Sequence, residues 1–172
     1  TARLRMARQL GATGATEEAL ALTSSTLAEA VERLGAHDPV VYSARFEVAV
    51  WTRRVEGALA AARLYEDLLE DLRAASAGPR LIMQTGWNVG GCLLQAGDAD
   101  AALPFLETAL AEAVEAYGEL HMQTMLIRFT HVNAVAAASD GAAGIDLARR
   151  LADDAGRVLG DDHTFTTDAR AL

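Results

Sequence analysis

The stretch Gly86-Trp87-Asn88-Val89-Gly90-Gly91-Cys92-Leu93-Leu94-Gln95-Ala96-Gly97-Asp98-Ala99-Asp100-Ala101-Ala102-Leu103-Pro104-Phe105-Leu106 decides how this chain is read. Trp87 to Leu93 fits a first helix, Gln95-Ala96-Gly97-Asp98 a tight turn, and Ala101 to Leu106 a second helix that folds back on the first. Small residues at Gly90 and Ala102 are expected to let the two backbones approach. Val89, Leu93, Leu103 and Leu106 then fill the space around that contact.

The same arrangement recurs. Glycines close the longer helices at Gly35, Gly118 and Gly160; 160 − 118 is 42, and 118 − 35 is 83, close to twice that. Histidines follow at His37, His121 and His163, and arginines stand ten residues after each glycine, at Arg45, Arg128 and Arg170. The glycine due between Gly35 and Gly118 is missing, and a break at Ala77-Gly78-Pro79 takes its place. A fixed period of this length is the signature of stacked structural repeats. It divides the chain into approximate fragments 1–35, 36–77, 78–118 and 119–160 with a partial unit 161–172, all in one domain over 1–172.

Composition agrees. Of 172 residues 51 % are apolar, many of them alanine, and only 5 % are aromatic, which favours closely packed helices over sheets and makes the chain all-α. The net charge of −9 lacks the basic surplus that neutralises phosphates, so direct nucleic-acid binding is not expected. All 15 basic residues are arginine, which with the alanine excess points to a GC-rich, bacterial origin. Cys92 is the one cysteine and cannot form an internal disulfide. No apolar run approaches the ~20 residues of a membrane span, so no membrane partner is expected. The chain starts at Thr1 inside helical sequence, and the expectation is a fragment of a longer cytoplasmic protein.

In each unit an A helix precedes a B helix. A1 runs from Thr1 to about Ala12, ended by the Gly11–Gly14 turn. Thr16 is expected to cap B1, whose Leu27, Val31 and Leu34 form a core-facing stripe. Asp38-Pro39 opens A2, which runs to about Arg54, and B2 covers roughly Glu56 to Ala75 with Tyr65, Leu68, Leu69 and Leu72 inward. Pro79 opens A3, which ends at Gly97. B3 runs from about Asp100 to Tyr117 with Leu103, Leu106, Leu110, Val114 and Tyr117 on one face. A4 runs from Met122 to Ala138, Ser139-Asp140-Gly141 turns the chain, and B4 follows to Leu159 with Leu147, Leu151, Ala155, Val158 and Leu159 inward. An A5 helix begins after His163. Neither end carries a polar capping helix, so the apolar ends invite end-to-end self-association.

The pattern resembles the tetratricopeptide repeat. Val89-Gly90, Leu93 and Ala102-x3-Leu106 stand where that family places a Leu-Gly pair, a large residue three positions on, and Ala-x3-Phe, with Asn88 matching an asparagine that often precedes the pair. The period of about 42 with Leu-Gly-x-x-His between units looks like the kinesin-light-chain variety, also found in bacterial signalling ATPases and regulators. The resemblance implies a right-handed α-α superhelix of about four helix pairs whose A helices line a concave groove.

No catalytic or metal constellation emerges. Equivalent histidines in stacked units lie too far apart for zinc, whose donors sit ~2.0–2.1 Å from one ion, so they read as structural turn residues, and no cofactor is expected. Glu66, Asp67, Glu70 and Asp71 read as a solvated helix face, Cys92 as a packing thiol, and Gly90-Gly91 lacks the strand and Gly-Lys-Ser/Thr of a phosphate loop. An enzyme is not expected. Charge, however, sorts by helix: the A helices hold Arg3, Arg5, Arg8, Arg45, Arg53, Arg54, Arg80, Arg128 and Arg170 against few carboxylates. With A helices lining the groove, that groove would be locally positive and suited to an acidic peptide or a carboxylate, unless the arginines pair with neighbouring B helices. The repeat match places Arg45, Phe46, Glu47 and Arg53 of A2, Gln84, Trp87 and Asn88 of A3, and Arg128 and His131 of A4 on the groove, beside Ser43, Val50, Gly91 and Asn133. Trp87 would be its apolar anchor and Asn88 would hold a ligand's backbone. The expected function is a non-catalytic scaffold that binds a protein or peptide. A ligand-sensing domain of a bacterial regulator or signalling ATPase is the alternative, and a structural self-association element a third reading.

Overall fold

The structure, a computed structural model, describes residues 2–138 and 142–172. Thr1 and the expected turn Ser139-Asp140-Gly141 lie outside the described residues. Among these there are nine α-helices and no strand: α1 (Ala2–Ala12), α2 (Thr16–Leu34), α3 (Pro39–Val55), α4 (Ala58–Ala74), α5 (Pro79–Gln95), α6 (Ala99–Tyr117), α7 (Met122–Ala138), α8 (Ala142–Leu159) and α9 (Thr164–Arg170). The odd-numbered helices are the A helices and the even-numbered ones the B helices. The chain divides into two compact units, Thr1–Cys92 and Leu93–Leu172.

In the first unit α1 packs on α2, α2 on α3 and α3 on α4. The joint from α2 to α3 shows why the sequence was punctuated as it was. Gly35 sits at φ +86° and donates its N–H to Val31 O, Asp38 accepts from Val40 N at 2.8 Å, and Pro39 takes the first helical position. At the next joint the marker position falls on Ser76 (118 − 42), which itself adopts a left-handed φ of +50°. Tyr65, Leu68, Leu69 and Leu72 of α4 are buried as the 3.6-residue spacing predicts, and Leu68 and Leu72 pack with Tyr42, Phe46, Leu81 and Ile82.

Three expectations fail here. The α2 cap is Ala15, with no side-chain hydrogen bond, and Thr16 is the first helical residue. The buried stripe of α2 is Ala19, Thr23, Thr26 and Ala30, while Val31 and Leu34 are exposed. Thr23 and Thr26 enter the core because each hydroxyl donates to the carbonyl four residues back at 2.7 Å, which leaves only a methyl-sized surface to pack. Gly11 is a packing residue inside α1, and the turn belongs to Gly14 at φ +90°. A Cβ on Gly11 would stand 1.9 Å from the Trp51 ring, which lies against α1 beside Ala7 and Ala19.

In the second unit α6 packs on α7, α7 on α8 and α8 on α9. Gly118 and Gly160 repeat the joint, at φ +85° and +90°. The periodic histidines prove to be helix caps: His121 Nδ1 accepts from Gln123 N and His163 Nδ1 from Phe165 N, both at 3.1 Å. Three residues after Gly35 that cap is Asp38, and the neighbouring His37 instead meets the Tyr42 hydroxyl at 3.1 Å. Thr124 and Thr166 lock the same joints by donating to Gly118 O and Gly160 O at 2.8 and 2.9 Å. On α6 the deep stripe is Ala99, Ala102, Leu106, Ala109 and Ala113, with the expected Leu103, Leu110, Val114 and Tyr117 half-buried on its shoulders. Alanine at the centre brings the neighbouring backbone close, and the larger residues fill the flanks. The helix continues through the exposed Pro104. On α8, Leu151 and Ala155 are buried but Val158 is 46 % exposed, because it stands one position past the inward face. Met125, Val132, Ala148, Leu151, Ala152 and Ala155 form the core of this unit, with Phe129 and Phe165 packed against it.

Candidate functional site

Repetition places an arginine of α1, α3 and α7 beside a carboxylate of the B helix that follows each. Arg3 meets Glu29, Arg45 meets Asp71 and Arg128 meets Asp154, each pair 26 residues apart. The arginine positions 3, 45, 87, 128 and 170 advance by 42, 42, 41 and 42, so Trp87 stands in the arginine register of α5 and is half-buried there. Arg170 closes on Asp161. These arginines are therefore engaged with their own units, and the broad positive surface expected from the A helices contracts accordingly.

Glu47 of α3 is only 7 % exposed, and Arg8 of α1 donates to its Oε1 through Nε at 2.9 Å and through Nη2. That hydrogen bond and the adjacent carboxylate raise the Arg8 pKa. Glu47 was expected on an open groove wall, but its carboxylate is covered. Arg54 lies over the Trp51 ring at 5.1 Å, a cation–π contact. Of the nine A-helix arginines, Arg5, Arg53, Arg54 and Arg80 have no carboxylate partner among the described residues, and of these four Arg53 alone is half-buried.

Arg53 faces a polar cluster in the first unit. Burial pushes the thiol pKa of buried Cys92 up, and the nearby Arg53 guanidinium partly opposes the shift. Tyr65 approaches the same cluster. Its phenol is held above the ordinary range, first by burial and then by neighbouring Cys92, and its hydroxyl has no hydrogen-bond partner among the described residues. Phe46 packs edge-on to the Tyr65 ring at 5.3 Å. On α5 the Asn88 side-chain amide donates to Gln84 O at 2.8 Å, so that N–H is spent on its own helix. The cluster thus gathers Phe46, Glu47 and Arg53 from the expected set.

In the second unit Arg128 donates to Asp154 at 2.7 Å and to Glu119 O at 3.3 Å. His131 is half-buried, and burial lowers its pKa against the opposing pull of Glu107. Among the described residues no group of three or more histidine, cysteine or acidic side chains is placed to hold a metal ion, and no helix is long and apolar enough to cross a membrane.

No protein-family model matches the chain, and no curated protein matches it. Solved structures do. A putative kinesin light chain of Podosopora anserina with nearly identical TPR-like repeats superposes with a TM-score of 0.85 at 15 % identity, covering 98 % of this chain and 81 % of that one. The fold is that of the tetratricopeptide-like repeats. A Rap protein solved in complex with Competence and Sporulation Factor shares this tetratricopeptide-like fold, with a TM-score of 0.75 and 18 % identity over 95 % of this chain and 44 % of its own. BtubC (BKLC) from P. vanneervenii does so at 0.68 and 19 %, over 90 % and 63 %.

The tetratricopeptide-like register also explains what the sequence left hidden. The acidic partners Glu29, Asp71 and Asp154 keep the same period as the arginines, a signal visible once A and B helices are aligned 26 positions apart.

Proposed function

We propose that this chain is a non-catalytic binding module that takes a protein or peptide segment on the A-helix side of its first unit, with a carboxylate of that segment on Arg53. The observation that carries this reading is Arg53 itself, a half-buried guanidinium without a carboxylate partner among the described residues, in a protein of net charge −9 whose periodic arginines are otherwise paired. A guanidinium fork partly withdrawn from water gains more from a ligand carboxylate than an exposed one does. Phe46 and Trp87 supply half-buried aromatic surface in the same unit, and Gln84 and Asn88 supply amides. The Rap protein solved in complex with Competence and Sporulation Factor supports the reading by analogy, since it shares this fold.

The test is fluorescence anisotropy with a panel of labelled peptides, each with a free C-terminal carboxylate or an amide, with or without acidic side chains. Carboxylate forms are expected to bind about tenfold more tightly, equivalent to about 1.4 kcal/mol. That advantage should vanish in Arg53→Gln and survive in Arg80→Gln. An advantage that persists in Arg53→Gln refutes the assignment. A free small carboxylate that raises the melting temperature as far as the peptides do would instead favour a ligand sensor.

A further inference from the structure

We propose that the groove between α2 and α4 of the first unit receives a second copy of this chain, the two copies being related by a two-fold axis. This inference is independent of the Arg53 site. Leu20 of α2, Val48 of α3, and Ala60 and Leu64 of α4 line a groove of about 440 Å³ that Glu56 and Arg63 border. In a stack each repeat contacts only its neighbours, so a groove between the B helices of two adjacent repeats stays open in an array of any length.

The edge of this groove is apolar where water and the helix would favour charge. Leu59, Val55 and Leu64 are 52, 38 and 37 % exposed, and each either lines the groove or directly precedes a residue that does. Leu59 is the second residue of α4, where α2 has Glu17 and α6 has Asp100, carboxylates that suit a helix N-terminus. The first turn of α4 has no acidic residue. A cluster of exposed leucine and valine that forgoes this stabilisation marks an interaction surface.

Charge complementarity selects a second copy as the occupant. Glu56 and Arg63 are both exposed, and neither has an oppositely charged side-chain partner among the described residues. A two-fold axis passing between them sets Arg63 of one copy against Glu56 of the other and makes that pair twice, as an isologous interface requires. Leu59, between the two charges along the chain, then packs into the partner's groove near the axis. A partner with one sign of charge would leave either Glu56 or Arg63 facing its own sign. The second unit lacks this balance. Arg45 and Asp71 recur as Arg128 and Asp154, a step of 83, and the same step turns Ser24 into Glu107 and Arg63 into Asp146. Both walls of the corresponding groove are acidic, so a second copy would meet like charge there.

A contact confined to one groove buries less than the roughly 1,200 Å² of a standard interface, so the dimer is expected at tens of micromolar and above. Sedimentation velocity of the full chain at about 0.15 M salt, where the Debye length is about 8 Å and repulsion between two acidic copies is screened, reads it directly. Arg63→Glu and Glu56→Arg should each weaken dimerisation about tenfold or more, and the two combined should restore it. Far-UV circular dichroism of each variant should stay unchanged, because both positions are exposed. Leu59→Asp, which supplies the carboxylate α6 carries at this position, should keep the fold and leave only monomer. A monomer at every concentration overturns the proposal. So does a dimer indifferent to Leu59→Asp or to the single charge reversals, or one that the combined reversal fails to restore.

Discussion

The arginine–carboxylate ladder makes a graded prediction, because its three rungs differ in exposure, and on the inner one Asp154 also accepts from Arg157 at 2.5 Å. Side-chain exposures are 41 and 56 % for Arg3 and Glu29, 24 and 43 % for Arg45 and Asp71, and 16 % for both Arg128 and Asp154. Water and salt screen an exposed pair, and ordering two long side chains offsets most of what remains. The first rung should therefore show no measurable coupling in a double-mutant cycle. The middle rung should show about 0.5–1 kcal/mol. The Arg128–Asp154 rung lies further from water, and Arg128 also holds the Glu119 carbonyl. Its coupling should reach about 1.5–3 kcal/mol, the range of hydrogen bonds to charged groups. Cycles built with Arg→Gln and Asp→Asn (Glu→Gln for the first rung), followed by urea unfolding under circular dichroism, give these energies. A separate transition is fitted for each compact unit where two are resolved. Repeating the cycles in 1 M NaCl should erase the middle rung and leave most of the inner one. Equal couplings on all three rungs, or an inner coupling that salt removes, would refute the claim that burial sets the strength of this ladder.

Other consequences are open to direct measurement. Gly11→Ala drives a methyl into the Trp51 ring and should destabilise the first unit by about 1–3 kcal/mol in urea unfolding, with altered tryptophan fluorescence. Tyr65→Phe removes a buried hydroxyl that has no partner among the described residues, so stability should hold or rise by up to about 1 kcal/mol; a clear loss would reveal a bond that the geometry does not show. His131 has a folded pKa below its unfolded value, so the unfolded chain binds the proton more readily. Stability of the second unit should therefore fall as pH drops from about 6.5 toward the folded pKa, and His131→Gln should flatten that slope in a pH series of urea melts. Gly118→Ala forces a side chain to φ +85° and should cost about 1–3 kcal/mol, read in the same assay.

The architecture was legible because punctuation repeats more faithfully than packing. Gly35, Gly118, Gly160, Pro39 and Pro79 each have one backbone job, and reading them placed most helix ends within two residues. The faces were harder. On α2 two stripes compete, one of leucine and valine and one of alanine and threonine, and hydropathy favours the wrong one because threonine hides its hydroxyl by bonding the backbone. The arginine series was visible, but its destination was not. Whether Arg45 serves a ligand or Asp71 depends on how two helices cross, which no single helix encodes. Arg53 emerged from the same list of basic residues only by elimination, once most of the others had found carboxylates and the rest proved exposed.

The links between successive helix pairs have an implication for how such chains change length. Three of the four are closed by their own four residues, a glycine followed three positions later by a cap: Gly35 with Asp38, Gly118 with His121 and Gly160 with His163. Removing residues 119–160 would join Gly118 to Asp161-Asp162-His163 and so rebuild the same link at the seam. The excision takes Arg128 and Asp154 away together, stranding neither charge. A gene encoding this chain can thus gain or lose whole periods by unequal recombination and still specify sound connections.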